Sequence, residues 1–165
     1  MLIILAGLPG VGKTTIAREL AQQIAATHIR VDSIEHAVRA SGLVAGPLDD
    51  VGYRVGYAVA EDNLLLGRTV VADSVNPLPI TRAAWLDVAT RARVRAIEVE
   101  VICSDLLEHR RRVETRLTEF PGWTVRWEDV VARDYRPWDR ERIVIDTARE
   151  GVERAVERLR APIAE

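Results

Sequence analysis

The amino-acid sequence predicts an α/β domain, a parallel sheet covered on both faces by helices. Three observations carry this expectation. Short apolar runs alternate with stretches of helical period along nearly the whole chain. The first run passes directly into a glycine-rich turn and then into a helical pattern. Acidic or hydroxyl residues follow each apolar run, and ligands of such sheets bind outside the carboxyl ends of the strands. At 165 residues, 48% of them apolar, the chain is long enough for one domain, residues 1–165, with a proper core.

The elements follow in order. Leu2–Ala6 reads as a strand buried on both faces. It is too short for the apolar core of a signal peptide, and no charge precedes it. Met1 stands almost against the strand, so no targeting extension is expected. No apolar run approaches the roughly 18 residues of a membrane helix, so no membrane partner is expected either. The single cysteine, Cys103, cannot form an internal disulfide, and a reduced, cytoplasmic setting fits.

After the turn, Ile16, Leu20 and Ile24 recur at four-residue steps and predict the first helix. Further strands are expected at residues 28–31, 69–72, 98–103 and 142–145. Helices are expected at 51–66, at 81–93 with Thr81 as cap, and at 105–117. A closing helix is marked by Val152, Ala155, Val156 and Leu159. Residues 41–50 and 120–123 read as loops. There is no internal repeat and no domain boundary.

The turn itself is GLPGVGKTT, residues 7–15. Gly7, Gly12, Lys13 and Thr14 spell G-x-x-x-x-G-K-[ST], the phosphate-binding loop. Its backbone N–H groups form an anion nest, and the following helix adds its positive end. Gly7, Leu8, Pro9, Gly10, Val11, Gly12, Lys13, Thr14 and Thr15 are thus the expected nucleotide contacts. Lys13 is expected to reach the β- and γ-phosphates, and the Thr14 hydroxyl a Mg²⁺ ion. The chain has 22 arginines and one lysine, and that lysine is Lys13. An ammonium is a compact point charge, whereas a guanidinium is a broad planar fork that a tight loop does not admit.

Asp32 follows the second run, and phosphoryl transfer to an alcohol needs a carboxylate that orients the hydroxyl and takes its proton. A helix cap is the plainer alternative for Asp32, and one residue can do both. Asp73 closes the third run, where an apolar strand ending in Asp holds the Mg²⁺ shell; an Asx turn before Asn76-Pro77 is the plainer alternative. In HRRRVETR, residues 109–116, Leu106, Val113 and Leu117 share one stripe with Arg110, and His109, Arg112 and Arg116 another. Arg112 and Arg116 lie one turn apart and match a lid that grips a transferring phosphoryl group; a solvated charged face is the alternative. Residues 119–123 would form the lid turn. Thr147, in IVIDTA, is expected beside the base of a bound nucleotide or as a helix cap. Trp123, Trp127, Tyr135 and Trp138 read as a packing cluster. His28, His36, His109 and Cys103 have no zinc-ligand spacing.

GLPGVGKTT, VDSI, VVADSVNP, the pair Arg112 and Arg116, and IDTA together resemble the small P-loop kinases. That group includes chloramphenicol phosphotransferase, zeta toxins, gluconate kinases and 5′-hydroxyl polynucleotide kinases. The resemblance implies a nucleoside-monophosphate-kinase-like P-loop NTPase of three α/β/α layers, with a five-stranded parallel sheet and a helical lid near residues 105–125. It implies Asp32 as base for the acceptor hydroxyl, Arg112 and Arg116 in the lid, and the IDTA turn near the adenine.

The expected activity is ATP- and Mg²⁺-dependent phosphorylation of a small-molecule hydroxyl. A nucleic-acid 5′-hydroxyl is the second-ranked acceptor, since the net charge of −2 argues against binding through bulk positive charge. A nucleotide-binding switch with slow hydrolysis is the alternative from another class. A guanine-reading N-K-x-D motif is excluded, because the only lysine is Lys13. The acceptor pocket is expected from residues 34–57 and 74–85, with Arg39, Arg54 and Arg82 as candidates for an anionic acceptor.

Overall fold

A computed structural model describes residues 1–44, 46–115, 120 and 124–163. Five strands form one sheet: β1 (Leu2–Ala6), β2 (Thr27–Arg30), β3 (Val70–Asp73), β4 (Ala96–Ile102) and β5 (Ile143–Asp146). All pairings are parallel and the order is β2-β3-β1-β4-β5. The helices are α1 (Lys13–Gln23), α2 (Val31–Ala40), α3 (Val51–Leu65), α4 (Pro79–Arg91), α5 (Leu106–Thr115), α6 (Trp127–Val131) and α7 (Val152–Arg160). No helix among the described residues is long and apolar enough to cross a membrane.

Alternation along β1 splits the core in two, as a strand's period of two requires. Ile3 and Leu5 pack with Ile16 and Leu20 of α1 and with Val156 and Leu159 of α7. Leu2 and Ile4 pack with Leu64 of α3 and with Trp85 and Val88 of α4. The sheet is therefore the middle layer of three, and every residue of β1 is buried. Its central place puts the phosphate loop at the middle of the sheet's carboxyl edge.

Three helices differ from the sequence reading. β2 ends at Arg30, and Val31 already opens α2, so Asp32 lies in the first turn of a helix rather than at a strand end. The N-cap there is Arg30, without a side-chain cap bond, so Asp32 is not the cap. α4 begins earlier than expected: Leu78 is its N-cap and Pro79 takes the first position, where its missing N–H costs nothing. Thr81 instead donates its hydroxyl to the Leu78 carbonyl (2.9 Å). The short α6 has no counterpart in the sequence reading.

Candidate active site

The loop between β1 and α1 is shaped by contacts that exclude side chains. Gly7 has φ 145°, and a Cβ there would stand 2.2 Å from the Val101 carbonyl oxygen of β4. Only glycine lets the chain pass that close to the neighbouring strand. A Cβ on Gly10 would stand 2.5 Å from Val113 Cγ2, so α5 lies directly over the loop. His109 of α5 is buried, and its Nε2 donates to the Pro9 carbonyl (2.8 Å). A carbonyl only accepts, which places the proton on Nε2.

Gly12 is the N-cap of α1, and Lys13 and Thr14 form its first turn. Lys13 is only 5% exposed, and its Nζ lies 3.6 Å from Asp73 Oδ1 at the end of β3. His28 Nε2 lies 3.4 Å from Asp73 Oδ2, and the Thr14 hydroxyl bonds to the same carboxylate. Burial works to raise the Asp73 pKa, but the Lys13 ammonium, with His28 and Thr14 beside the carboxylate, outweighs it and holds it at about 2. Lys13, Thr14 and Asp73, predicted together from separate motifs, are thus in mutual contact. His28 at this centre was not foreseen; its place in the second strand, on the same face as the strand-end carboxylate, was the available signal.

A cleft of about 430 Å³ opens over this cluster, lined by Gly10, Gly12, Lys13, Thr14, Thr15 and Arg112 among others. Arg112 is held in it by two partners. Its Nε donates to Glu108 Oε1 (2.7 Å) and a terminal nitrogen to the Thr147 hydroxyl (2.9 Å). Thr147 in turn donates to the Val11 carbonyl (2.8 Å). Thr147 thereby ties the turn after β5 to both the loop and α5. Arg116 and the proposed lid turn at 119–123, apart from Phe120, lie outside the described residues. The expected apolar stripe on α5 is corrected: Leu106 is exposed, and His109 with Val113 forms the buried face.

A second cavity of about 380 Å³ adjoins the first. Its wall includes Asp32 and Glu35 of α2, Tyr53 of α3, Phe120, and Thr124–Glu128. Pro9, Gly10, Asp32 and Val75 line both cavities. Arg30 Nη2 lies 3.7 Å from Asp32 Oδ2. Tyr53 takes a hydrogen bond from the Asn76 backbone N–H (2.8 Å) and thereby steadies Asn76 at φ 49°. Burial pushes the Tyr53 phenol up to about 12, so it remains protonated.

Two of the three arginines expected to meet an anionic acceptor do other work. Arg82 is fully buried, and it donates to the carbonyls of Asn76, Pro77, Arg136 and Pro137. Its guanidinium lies 4.2 Å from the Trp138 ring centroid. Arg54 is exposed and paired with Asp50 at 2.8 Å. The expected aromatic cluster also divides. Tyr135 and Trp138 pack around Arg82, whereas Trp127 stands edge-on to His109 and lines the second cavity. Trp123 lies outside the described residues.

This architecture has close counterparts. Among curated proteins, none matches the sequence. Solved structures do. The APS kinase CysC of Mycobacterium tuberculosis, solved with AMPPNP and APS, is 18% identical with a TM-score of 0.71; the match covers 99% of this chain and 97% of that one. Kti12 of Chaetomium thermophilum, solved with ADP-AlF3, is 19% identical with a TM-score of 0.72, and 98% of each chain is covered. A gluconokinase of Sinorhizobium meliloti is 18% identical with a TM-score of 0.65, covering 98% and 90%. At these identities the likeness is one of fold, a P-loop kinase-like fold. A family model described as an AAA domain matches residues 2–126. The loop, the five-stranded parallel sheet and that match together make the chain a member of the AAA-domain family of P-loop NTPases.

Proposed function

We propose that the protein is an ATP- and Mg²⁺-dependent kinase that transfers the γ-phosphoryl group to a hydroxyl of a small molecule. One observation carries this reading: Asp32 stands on the shared wall of the phosphate cleft and the second cavity. A carboxylate at that boundary faces nucleotide on one side and acceptor on the other.

The chemistry follows from the positions. The acceptor oxygen attacks the γ-phosphorus and its proton passes to the Asp32 carboxylate. A new oxygen–phosphorus bond forms while the bond from the γ-phosphorus to the β–γ bridging oxygen breaks, and ADP leaves. Lys13 and the loop N–H groups of residues 7–15 draw negative charge from the phosphates. Arg112, with Arg116, stabilises the phosphoryl group in flight, and Thr147 holds Arg112 beside the nucleotide. Thr14 and Asp73 offer a hydroxyl and a carboxylate, the hard oxygen donors that suit Mg²⁺. Among the described residues no three His, Cys, Asp or Glu side chains group as metal ligands, which fits an ion held mainly by phosphate and water oxygens. When bound, Mg²⁺ neutralises charge on the phosphates.

The acidic second cavity weighs against a nucleic-acid acceptor, whose phosphates would be repelled. A switch protein with slow hydrolysis has no need of Asp32. Replacing Asp32 by Asn is expected to lower turnover roughly 100-fold or more, the scale of general-base catalysis, with ATP affinity unchanged by calorimetry. Full turnover in that variant would leave the switch reading standing and remove this one.

A further inference from the structure

We propose that the acceptor is a cationic hydroxyl compound, an amino alcohol whose hydroxyl meets Asp32 and whose ammonium meets Glu35, against an aromatic wall. This rests on the kinase reading and names the substrate class of the same cavity.

The charges point one way. Among the described residues lining the second cavity, the carboxylates are Asp32, Glu35, Glu114 and Glu128, and the guanidiniums are Arg126 and Arg133. Arg126 is committed to Asp129, with both terminal and ε nitrogens donating to its carboxylate. Glu114 is matched by Arg110 (2.7 Å). Asp32 has Arg30 near it, at 3.7 Å. Carboxylates thus outnumber guanidiniums four to two among the described lining residues, and at Glu35 burial and the Asp32 charge outweigh Arg39 and Arg133. Of the three arginines expected to meet an anionic acceptor, Arg82 serves the fold, Arg54 serves Asp50, and Arg39 acts on Glu35 but is not among the described residues lining the cavity.

Glu35 is placed rather than incidental. It lies three residues after Asp32 on α2, so the two carboxylates project from one helix face with β-carbons about 5–6 Å apart. That spacing matches a hydroxyl and an amine separated by a few carbons. α3 fixes the side chain from behind: a Cβ on Gly52 would stand 2.4 Å from Glu35 Cγ and 2.9 Å from Oε1. A side chain at position 52 would thus displace the carboxylate. Burial and then the Asp32 charge raise the Glu35 pKa, while Arg39 and Arg133 oppose the rise. Two like charges on one face of a partly desolvated cavity are relieved by a ligand ammonium between them.

The remaining wall is apolar and aromatic: Val31, Tyr53, Val75, Val113, Phe120 and Trp127. Aromatic faces attract organic cations as well as apolar groups. Phe120 already carries the Arg30 guanidinium (4.8 Å from its centroid) and a stacked His36 (4.6 Å), so a ligand with one ammonium and an apolar body meets the α2 carboxylates and the surfaces of Tyr53 and Trp127.

The test uses the full chain with ATP, Mg²⁺ and three probes of similar shape: 3-(benzylamino)propan-1-ol, its uncharged N-acetyl derivative, and the free carboxylate 2-benzyl-3-hydroxypropanoate. Phosphorylated product is measured by mass spectrometry and binding by calorimetry with a non-hydrolysable ATP analogue present. The cationic probe is expected to exceed the neutral one in kcat/KM by about tenfold or more, and the anionic one by a wider margin. Glu35→Gln should erase the cationic preference through KM, and Glu35→Arg should turn it toward the anionic probe. Gly52→Ala should weaken the same preference without touching a ligand. Preference for the neutral or anionic probe, or a cationic preference untouched by Glu35→Gln, overturns the inference and leaves the kinase reading intact. No product and no binding with any probe overturns both.

Discussion

The phosphate cleft and the second cavity share a wall but are built by opposite means. The cleft is made chiefly by one continuous segment, Gly7–Thr15, a backbone nest suited to phosphate, with Asp32 and with Arg111, Arg112 and Thr115 of α5 at its sides. The cavity is assembled from α2, α3 and residues 120 and 124–133, which are remote in sequence and contribute side chains. Backbone recognition demands glycines and one lysine at fixed spacing and leaves little freedom to vary. Side-chain recognition is set by which residues the fold brings together, so it can be rewritten without disturbing the loop. On the proposed reading the first region takes a phosphate chain common to many ligands, and the second selects the acceptor.

This contrast is sharpest at Lys13. Lys13→Ala is expected to reduce phosphoryl transfer by roughly a thousandfold or more. Lys13→Arg should fail nearly as badly, because the broad fork has no room beside Asp73 under a 5%-exposed side chain. A conservative change on the cavity side, such as Glu35→Gln, should instead alter which acceptor is used. Wild-type rates in Lys13→Arg would break the distinction between the regions.

Next in size are the two aspartates. Asp32→Asn should cost turnover, as argued above, whereas Asp73→Asn should raise the Mg²⁺ concentration needed for half-maximal rate. Steady-state rates across a Mg²⁺ series, beside ATP calorimetry, separate them. Identical behaviour of both variants would merge the two roles into one.

A smaller effect is expected at Arg112. Removing its guanidinium leaves the loop intact but takes one partner each from Thr147 and Glu108. Arg112→Ala should slow transfer by about tenfold to a hundredfold and weaken ADP binding by less, since ADP lacks the phosphoryl group in flight. Equal losses in rate and in ADP affinity would make Arg112 a structural strut between α5 and the turn after β5.

The smallest concerns pH. Hydrogen bonds from Arg111 and then Arg112 hold the exposed Glu108 carboxyl at about 2, against an ordinary 4.5. A lowered folded-state pKa contributes stability above the ordinary value, and that contribution fades as pH falls from 4.5 toward 2. The α5 arrangement should therefore stay fixed across the neutral range. A carbon-detected NMR titration of Glu108 that showed a midpoint near its ordinary value would mean that Arg112 is not oriented by it.

The legible parts of the molecule were those set by local pattern. The strands and the loop could be read because apolar runs and glycine spacing are contiguous. Asp73 was legible as the end of such a run. α2 is the weakest part of the sequence reading, although Ile34, Ala37 and Val38 follow a helical spacing, because the apolar run through Val31 reads as strand and carries Asp32 to its end. That single shift moved Asp32 into a helical turn and hid Glu35, whose relation to Asp32 exists only on a helix face. Arg82 was misjudged for a different reason. Nothing local distinguishes an arginine that binds a ligand from one that satisfies four backbone carbonyls, because two of those carbonyls arrive from residues 136 and 137. His109 likewise looked like one member of a charged run until packing placed it under the loop's edge.

The solitary ammonium has a practical consequence. A protease that cuts only after lysine has one target in the entire chain, the peptide bond between Lys13 and Thr14. That bond lies in the first turn of α1, with the lysine buried against Asp73. The protein thus carries its own single-site reporter: the rate at which such a protease divides it into two pieces measures how often the first turn of α1 and the buried lysine come open, with no label added.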